Sequence, residues 1–262
     1  MIKEETKFHD SCVFEGMTSI RSIIAGIDSG NNNRQIKTVL FDKSKISKIH
    51  KEIGYLKAVS SKYGFSVEES TAENLENLTL GNSHGGIICL AEQRTLPFLS
   101  ENCIISNCGF YAMIQGIEDP YNFGYSLRSL YACGCDGIIL PKRNWMSAAG
   151  VVCRSSAGAS ERFNIFECED VNAADFFKSK GYSIVCADER TDNILGECEL
   201  KLPLLLIVGG EKRGISKALL DFADIKVRIP YAREFNASLS AASATTMFGY
   251  EIMRQNRQKA FG

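Results

Sequence analysis

Three clusters in the chain combine residue types that bind anions or organise a reacting group. The first is Asp119-Pro120-Tyr121-Asn122-Phe123-Gly124, followed by Arg128. The second is Gly209-Gly210-Glu211-Lys212-Arg213-Gly214-Ile215-Ser216, entered from the apolar run Leu202 to Val208. The third is Ile229-Pro230-Tyr231, followed by Ser238-Leu239-Ser240-Ala241-Ala242-Ser243-Ala244. A glycine-rich turn from a buried strand to a helix presents backbone N–H groups, the usual cradle for phosphates and nucleotides in α/β proteins. It is not a P-loop: Gly209 and Gly214 have the spacing, but Ile215 stands where the phosphate-binding lysine belongs. No GxGxxG occurs, which sets the dinucleotide fingerprint aside. Taken singly, each cluster also has a plain structural reading. Asp119-Pro120 is a turn, Asn122 an N-cap, Arg128 a solvent-facing helical residue, and the small residues of the third cluster permit close packing.

The elements that must hold these clusters follow from periodicity. Thr18 caps a short helix to about Ala25, and Ile36 to Phe41 is a β-branched strand. Ser44 caps a helix whose Ile46, Ile49, Ile53, Leu56, Val59 and Tyr63 form one apolar stripe, ended by Gly64. A strand from Phe65 to Val67, an acidic helix from Glu73 to Leu78 and the strand Ile87 to Ala91 complete a small α/β unit. Pro97 and the polar stretch after it read as a linker, and the alternation then restarts. Strands are expected at Tyr111 to Ile117, Gly137 to Leu140, Ser183 to Ala187, Leu202 to Val208 and Ile225 to Ile229. Helices are expected at Phe123 to Cys133, around Trp145 to Cys153, at Ala173 to Lys180, after Ser216 and from Ser238 onward; Ser155 to Ser160 reads as a loop. Near-continuous apolar strands such as Leu202 to Val208 belong to a sheet buried on both faces. The division is therefore 1–97, a linker 98–108, and 109–262.

Composition excludes several classes of function. The 262 residues are 45% hydrophobic and include 5 prolines, which rules out a disordered or collagen-like chain. Thirty basic and 31 acidic residues leave a net charge of −1, so the chain does not coat nucleic acid indiscriminately. The charge is unevenly placed, however. Arg34, Lys37, Lys43, Lys45, Lys48, Lys51, Lys57 and Lys62 face only Asp42 and Glu52, a local excess of six positive charges. That run is either a solvated helix face or a phosphate-facing surface, for which Arg34, Lys45, Lys48 and Lys51 are the candidates. The ten cysteines include no CxxC pair and mostly sit in apolar segments, so neither a disulfide framework nor a metal site is expected. The charged start of the chain has no apolar leader and no run spans a bilayer, which together suggest a cytoplasmic, reduced protein.

In this order and spacing, the three clusters resemble the three signature motifs of the SpoU/TrmH-type RNA ribose 2′-O-methyltransferases of the SPOUT superfamily. They read IEDPYNFGYSLRSL, LLIVGGEKRGIS and VRIPYAREFNASLSAASA; RSSAGAS, from Arg154 to Ser160, matches a connecting segment. The N-terminal part, ending HGGIICLA, is similar to the small α/β/α RNA-binding domain fused to many members, a fold shared with certain ribosomal proteins. The resemblance implies an RNA-binding domain at 1–97 and an α/β trefoil-knot methyltransferase domain at 109–262. It implies S-adenosyl-L-methionine held largely by backbone at Gly209, Ile229 and Leu239, with Ala187, Gly210 and Ser238 as neighbours. It implies a homodimer acting on structured RNA, rRNA rather than tRNA because of the fused domain, with neither metal nor membrane involved.

Catalytic roles implied by the resemblance fall on Asn122, Arg128, Glu211 and Ser240. Free guanidinium titrates above about pH 12, so Arg128 suits orienting an RNA phosphate and stabilising developing negative charge, with proton acceptance left open. Asn122 would position the nucleotide or the arginine, and Glu211 would fix its loop or Arg128. The third motif departs from the family's Ser-Leu-Asn: here it is Ser238-Leu239-Ser240, one hydroxyl in place of a carboxamide. That departure supports an alternative, a non-catalytic RNA-binding paralogue that retains the fold and the cofactor pocket.

Overall fold

The computed structural model describes residues 13–79, 83–141, 148–210 and 214–257, and these form two compact units. The first contains β1 (Val13–Glu15), α1 (Gly16–Asp28), β2 (Ile36–Asp42), α2 (Ile46–Tyr63), β3 (Ser66–Ser70), α3 (Ala72–Leu78) and β4 (Ile87–Ala91). Its sheet order is β1-β4-β2-β3, with β4 antiparallel to both neighbours and β3 parallel to β2. The stripe on α2 behaves as its spacing requires: Ile49, Ile53 and Leu56 are buried against Val39, Phe41, Ile87 and Cys89. Two caps differ from expectation. α1 starts after Glu15, so Thr18 lies inside the helix. The turn before α2 is capped by Asp42, whose Oδ1 accepts the backbone N–H and hydroxyl of Ser44.

The first unit is not continuous in sequence. The segment 148–162, with α5 (Ala149–Ser155) and α6 (Ala159–Arg162), packs with 13–95. Ala149 and Cys153 enter its core beside Phe14 and Ile20. The expected boundary at 97 therefore misses a returning segment, and the stretch read as a serine-rich loop is partly helical.

The second unit holds β5 (Phe110–Gln115), α4 (Pro120–Ala132), β6 (Gly137–Pro141), β7 (Asn164–Cys168), α7 (Asp170–Ser179), β8 (Ser183–Ala187), β9 (Leu204–Gly209), α8 (Lys217–Phe222), β10 (Ile225–Val227) and α9 (Ala241–Gln255). All six strands run parallel in the order β10-β8-β9-β5-β6-β7. β5 is buried throughout and β9 up to its terminal glycine, as a doubly covered parallel sheet demands. One face packs Tyr111, Phe177 and Tyr182 ring against ring, at centroid separations of 5.0 to 5.9 Å.

The stretch 98–108 is no free linker. Leu99 donates its N–H to the carbonyl of Glu167 on β7, and Cys103 and Ile105 pack on the core. Strand β7 itself carries no strong signal, being five residues long with an interrupted burial pattern. Among the described residues, no helix is long and apolar enough to cross a membrane.

Candidate functional site

Parallel strands put all their carboxyl ends on one edge, and in α/β sheets that edge carries the site. Here β8 ends at Ala187, β9 at Gly209 and β10 at Val227, and these ends open into a cavity of about 720 Å3. Its apolar wall is Val208, Val227, Ala241, Ala244 and Phe248, and Asp188, Glu189, Arg190 and Arg228 supply its charge. The size suits a ligand of nucleoside dimensions or larger. All six residues that the resemblance assigns to the cofactor, Ala187, Gly209, Gly210, Ile229, Ser238 and Leu239, line this one cavity.

The glycines at the end of β9 are required by close approach of backbone. A Cβ on Gly209 would lie 2.4 Å from the carbonyl carbon of Gly214, and one on Gly210 would lie 2.1 Å from the carbonyl oxygen of Gly116. The loop closes through the Gly214 N–H, which donates to the Gly210 carbonyl at 2.9 Å. Buried Gln115, at the end of β5, accepts the N–H of Ser216 through its Oε1 at 3.2 Å. In the sequence Gln115 carries no signal, being a lone glutamine at a strand end outside any motif. In the third cluster, the Leu239 N–H donates to the Tyr231 hydroxyl at 3.1 Å, tying together the chain that leads into α9.

The residues assigned catalytic roles do not all gather here. Asn122 and Arg128 lie on α4, outside the cavity lining, with Arg128 exposed and its guanidinium without a partner among the described residues. Asp119, not Asn122, caps α4: its carboxylate accepts the N–H groups of Tyr121 and Asn122. The Asn122 carboxamide is left without a partner among the described residues. Ser240 caps α9, its Oγ accepting the Ser243 N–H at 3.2 Å, and it too is absent from the lining. Glu211 lies outside the described residues. Burial pushes the Cys186 thiol, one residue before the end of β8, up to about 12, which keeps it protonated.

The proposed phosphate-facing surface needs a larger correction. Arg34 is buried, its side chain 2% exposed, and its Nε donates to Glu161 Oε2 at 3.0 Å. Its Nη1 donates to the Glu92 carbonyl, and its guanidinium lies 4.6 Å from the Phe14 ring centre. Asn32 adds a hydrogen bond to Glu161, and Arg94 binds the Ser160 carbonyl. Burial raises the Glu161 carboxyl, but the charge and hydrogen bonds of Arg34, the charge of Arg94 and the Asn32 amide outweigh it and hold the group below its usual range. Lys37 pairs with Glu92, Lys62 with Asp28 and Lys45 distantly with Asp42. Glu161, Glu92 and Asp28 all lie outside the basic stretch, so the local excess overstated the free charge. Lys48 and Lys51 remain exposed on α2.

A family model described as SpoU rRNA Methylase matches residues 109–250, more than half of the chain. The chain belongs to this family. A protein of Staphylococcus saprophyticus described as a TrmH family tRNA/rRNA methyltransferase is 31% identical over 144 residues, 55% of this chain and 57% of that protein. This chain thus spans less than two thirds of that relative's length. The 23S rRNA (guanosine-2′-O-)-methyltransferase RlmB of Shewanella oneidensis is 28% identical over 201 residues, 74% of this chain and 80% of that protein. The AdoMet-bound rRNA methyltransferase of Sinorhizobium meliloti has the same fold: a TM-score of 0.74 over 93% of this chain and 87% of that one, at 22% identity. In this SpoU family chain the matched region contains the cavity lining, α4 and α9 as far as Tyr250.

Proposed function

We propose that the protein is an S-adenosyl-L-methionine-dependent methyltransferase acting on a ribose 2′-hydroxyl of structured RNA, and of rRNA in particular. The observation that carries this reading is the convergence of Ala187, Gly209, Gly210, Ile229, Ser238 and Leu239 on one cavity. The donor set fits the cofactor. Glycines that leave no room for a Cβ keep two chain segments at backbone distance, Phe248 and the two valines offer apolar contact to an adenine, and Asp188 and Glu189 offer acceptors to hydroxyl or ammonium groups. When bound, S-adenosyl-L-methionine supplies an electrophilic methyl group.

The chain's own residues then have distinct tasks. Gln115 holds the chain after β9 at Ser216, and Tyr231 holds the chain before α9 at Leu239. Arg128, with its permanent charge, orients an RNA phosphate and stabilises negative charge developing on the ribose oxygen, while Asn122 positions the nucleotide. The exposed positions of α4 and α9 support a second copy as the means of bringing Arg128 to a cavity. Tyr121 and Tyr125 on α4 and Met247 and Tyr250 on α9 are all 42% to 49% exposed, and a Thr246–Ser129 hydrogen bond of 2.6 Å joins the two helices.

Ser240 favours the second reading, a non-catalytic RNA-binding paralogue, because its hydroxyl is committed to the helix cap. Incubation with methyl-labelled S-adenosyl-L-methionine and separate rRNA and tRNA pools decides between them. Label in the rRNA pool is the expected result; cofactor binding by calorimetry with no label in either pool would establish the paralogue.

A further inference from the structure

A second cavity, about 410 Å3 in volume, lies in the first unit and has no part in the reaction above. It is bounded by the first turn of α1, Ile49 and Glu52 of α2, His84, Ile87 and Arg154. His84 is only 5% exposed. Its Nδ1 lies 3.1 Å from the Gly86 nitrogen and accepts that N–H, so the ring proton sits on Nε2. No described residue takes the Nε2–H. Asp42 Oδ2 is the sole fully enclosed side-chain N or O atom without a hydrogen-bond partner among the described residues, so Nε2 is not sealed in unpartnered, and His84 lines the cavity.

The other polar groups define the ligand. Glu15, ahead of α1, does not cap the helix; its carboxylate is taken by Arg154 Nη1, at 2.9 Å to each oxygen, and by the Ser83 hydroxyl. Glu52 has no partner among the described residues and remains as an acceptor. Two carboxylates against one guanidinium disfavour an inorganic anion. One cavity lined by an N–H donor on His84, an acceptor on Glu52 and the apolar residues Ile49 and Ile87 matches a flat heterocycle that carries both an N–H edge and ring acceptors. Lys48 and Lys51 are exposed beside Ile49 and Glu52 on the same helix, where the phosphates of a strand holding that heterocycle would pass.

We propose that this cavity captures one unstacked guanine base of RNA, its N–H edge on Glu52 and a ring acceptor on the His84 Nε2–H. The proposal rests on RNA being the substrate and not on methyl transfer. Unstacked bases are what proteins read in RNA, by hydrogen bonds to their edges and contacts to their faces.

The chain has three histidines, so the ring 15N resonances of His84 can be followed in the full-length protein and identified with His84→Asn. That variant keeps an acceptor for the Gly86 N–H while removing the imidazole ring and its Nε2–H; Glu52→Ala serves as a second probe that leaves His84 in place. Guanosine 5′-monophosphate is expected to shift the Nε2 resonance saturably, with the other three nucleotides weaker and inorganic phosphate without effect. A short single-stranded RNA with one guanine should bind about tenfold more tightly than the same strand with an abasic site there. Both variants should erase that margin without changing the slope of affinity against salt, which reports phosphate contacts. An equal shift with inorganic phosphate, or no shift with nucleotide and no margin with RNA, overturns the proposal. Methyl transfer without the guanine margin counts against this inference alone, and the margin without transfer counts against the proposed reaction alone.

Discussion

In the first unit, Arg34, Arg94 and Glu161 lie buried around one another and tie the segment 148–162 to the β-sheet. The cavity of the second unit is lined by Gly209 and Gly210, by Ile229 and Leu239, by apolar side chains and by charged groups at one part of its wall. Charge holds one region together, whereas close backbone approach shapes the other. The contrast also explains what could be read from the sequence. A glycine-rich strand-to-helix turn is local, so Gly209 and Gly210 announced their role within a few residues. An ion pair is not local: Arg34 and Glu161 are 127 residues apart, and a basic run says nothing of partners that far away.

The largest effect is expected at the buried network. Glu161→Gln strands Arg34 and Arg94 away from water, and chemical denaturation should show a loss of about 3–5 kcal/mol. The same carboxyl supplies a pH signature. Its folded pKa lies below its usual 4.5, so its contribution is complete above that pH and is lost as pH falls through the folded value. The wild-type protein should therefore lose stability below pH 4.5 with an acid limb that Glu161→Gln flattens, and identical acid limbs would remove the network from the account.

Next in size is Arg128→Ala, expected to slow methyl transfer by about 100- to 1000-fold while calorimetry finds cofactor affinity within about twofold of wild type. An active variant would break the division of labour between α4 and the cavity. Gly210→Ala should act in the opposite sense. Its Cβ meets the Gly116 carbonyl at 2.1 Å, so cofactor affinity should fall more than about tenfold, with about 1–3 kcal/mol of stability lost. Smallest is Ser240. Ser240→Ala removes a cap and should cost about 1 kcal/mol in thermal unfolding, whereas Ser240→Asn, an equally good cap, should cost nearly nothing. A loss in the asparagine variant as large as that in alanine would mean that the hydroxyl does more than cap.

Most of the remaining elements were legible for the same local reason. The continuous burial of β9, the apolar stripe of α2 and the strand Ile87–Ala91 all follow from side-chain periodicity. β7 was not legible, because five residues with a half-buried Glu167 match neither an alternating nor a continuous pattern. The return of 148–162 to the first unit was illegible too, since it depends on contacts with Phe14, Asn32 and Arg34 rather than on its own sequence. Among the candidate site residues, those lining the cavity were found through the resemblance of the three motifs to the family. Asn122 was expected as a cap and Asp119 takes that place, while the cap that Ser240 makes was not foreseen, because a capping side chain and a catalytic polar group draw on the same residue types.

The central claim is that this cavity serves methyl transfer to a ribose oxygen. It is tested most directly by incubating the protein with rRNA and S-adenosyl-L-methionine bearing a deuterated methyl group, then digesting the RNA to nucleosides for mass spectrometry. The expected result is the deuterated methyl on ribose, as a 2′-O-methylnucleoside. Its appearance on a base, or its absence from RNA under conditions where the protein binds the cofactor, would contradict the claim.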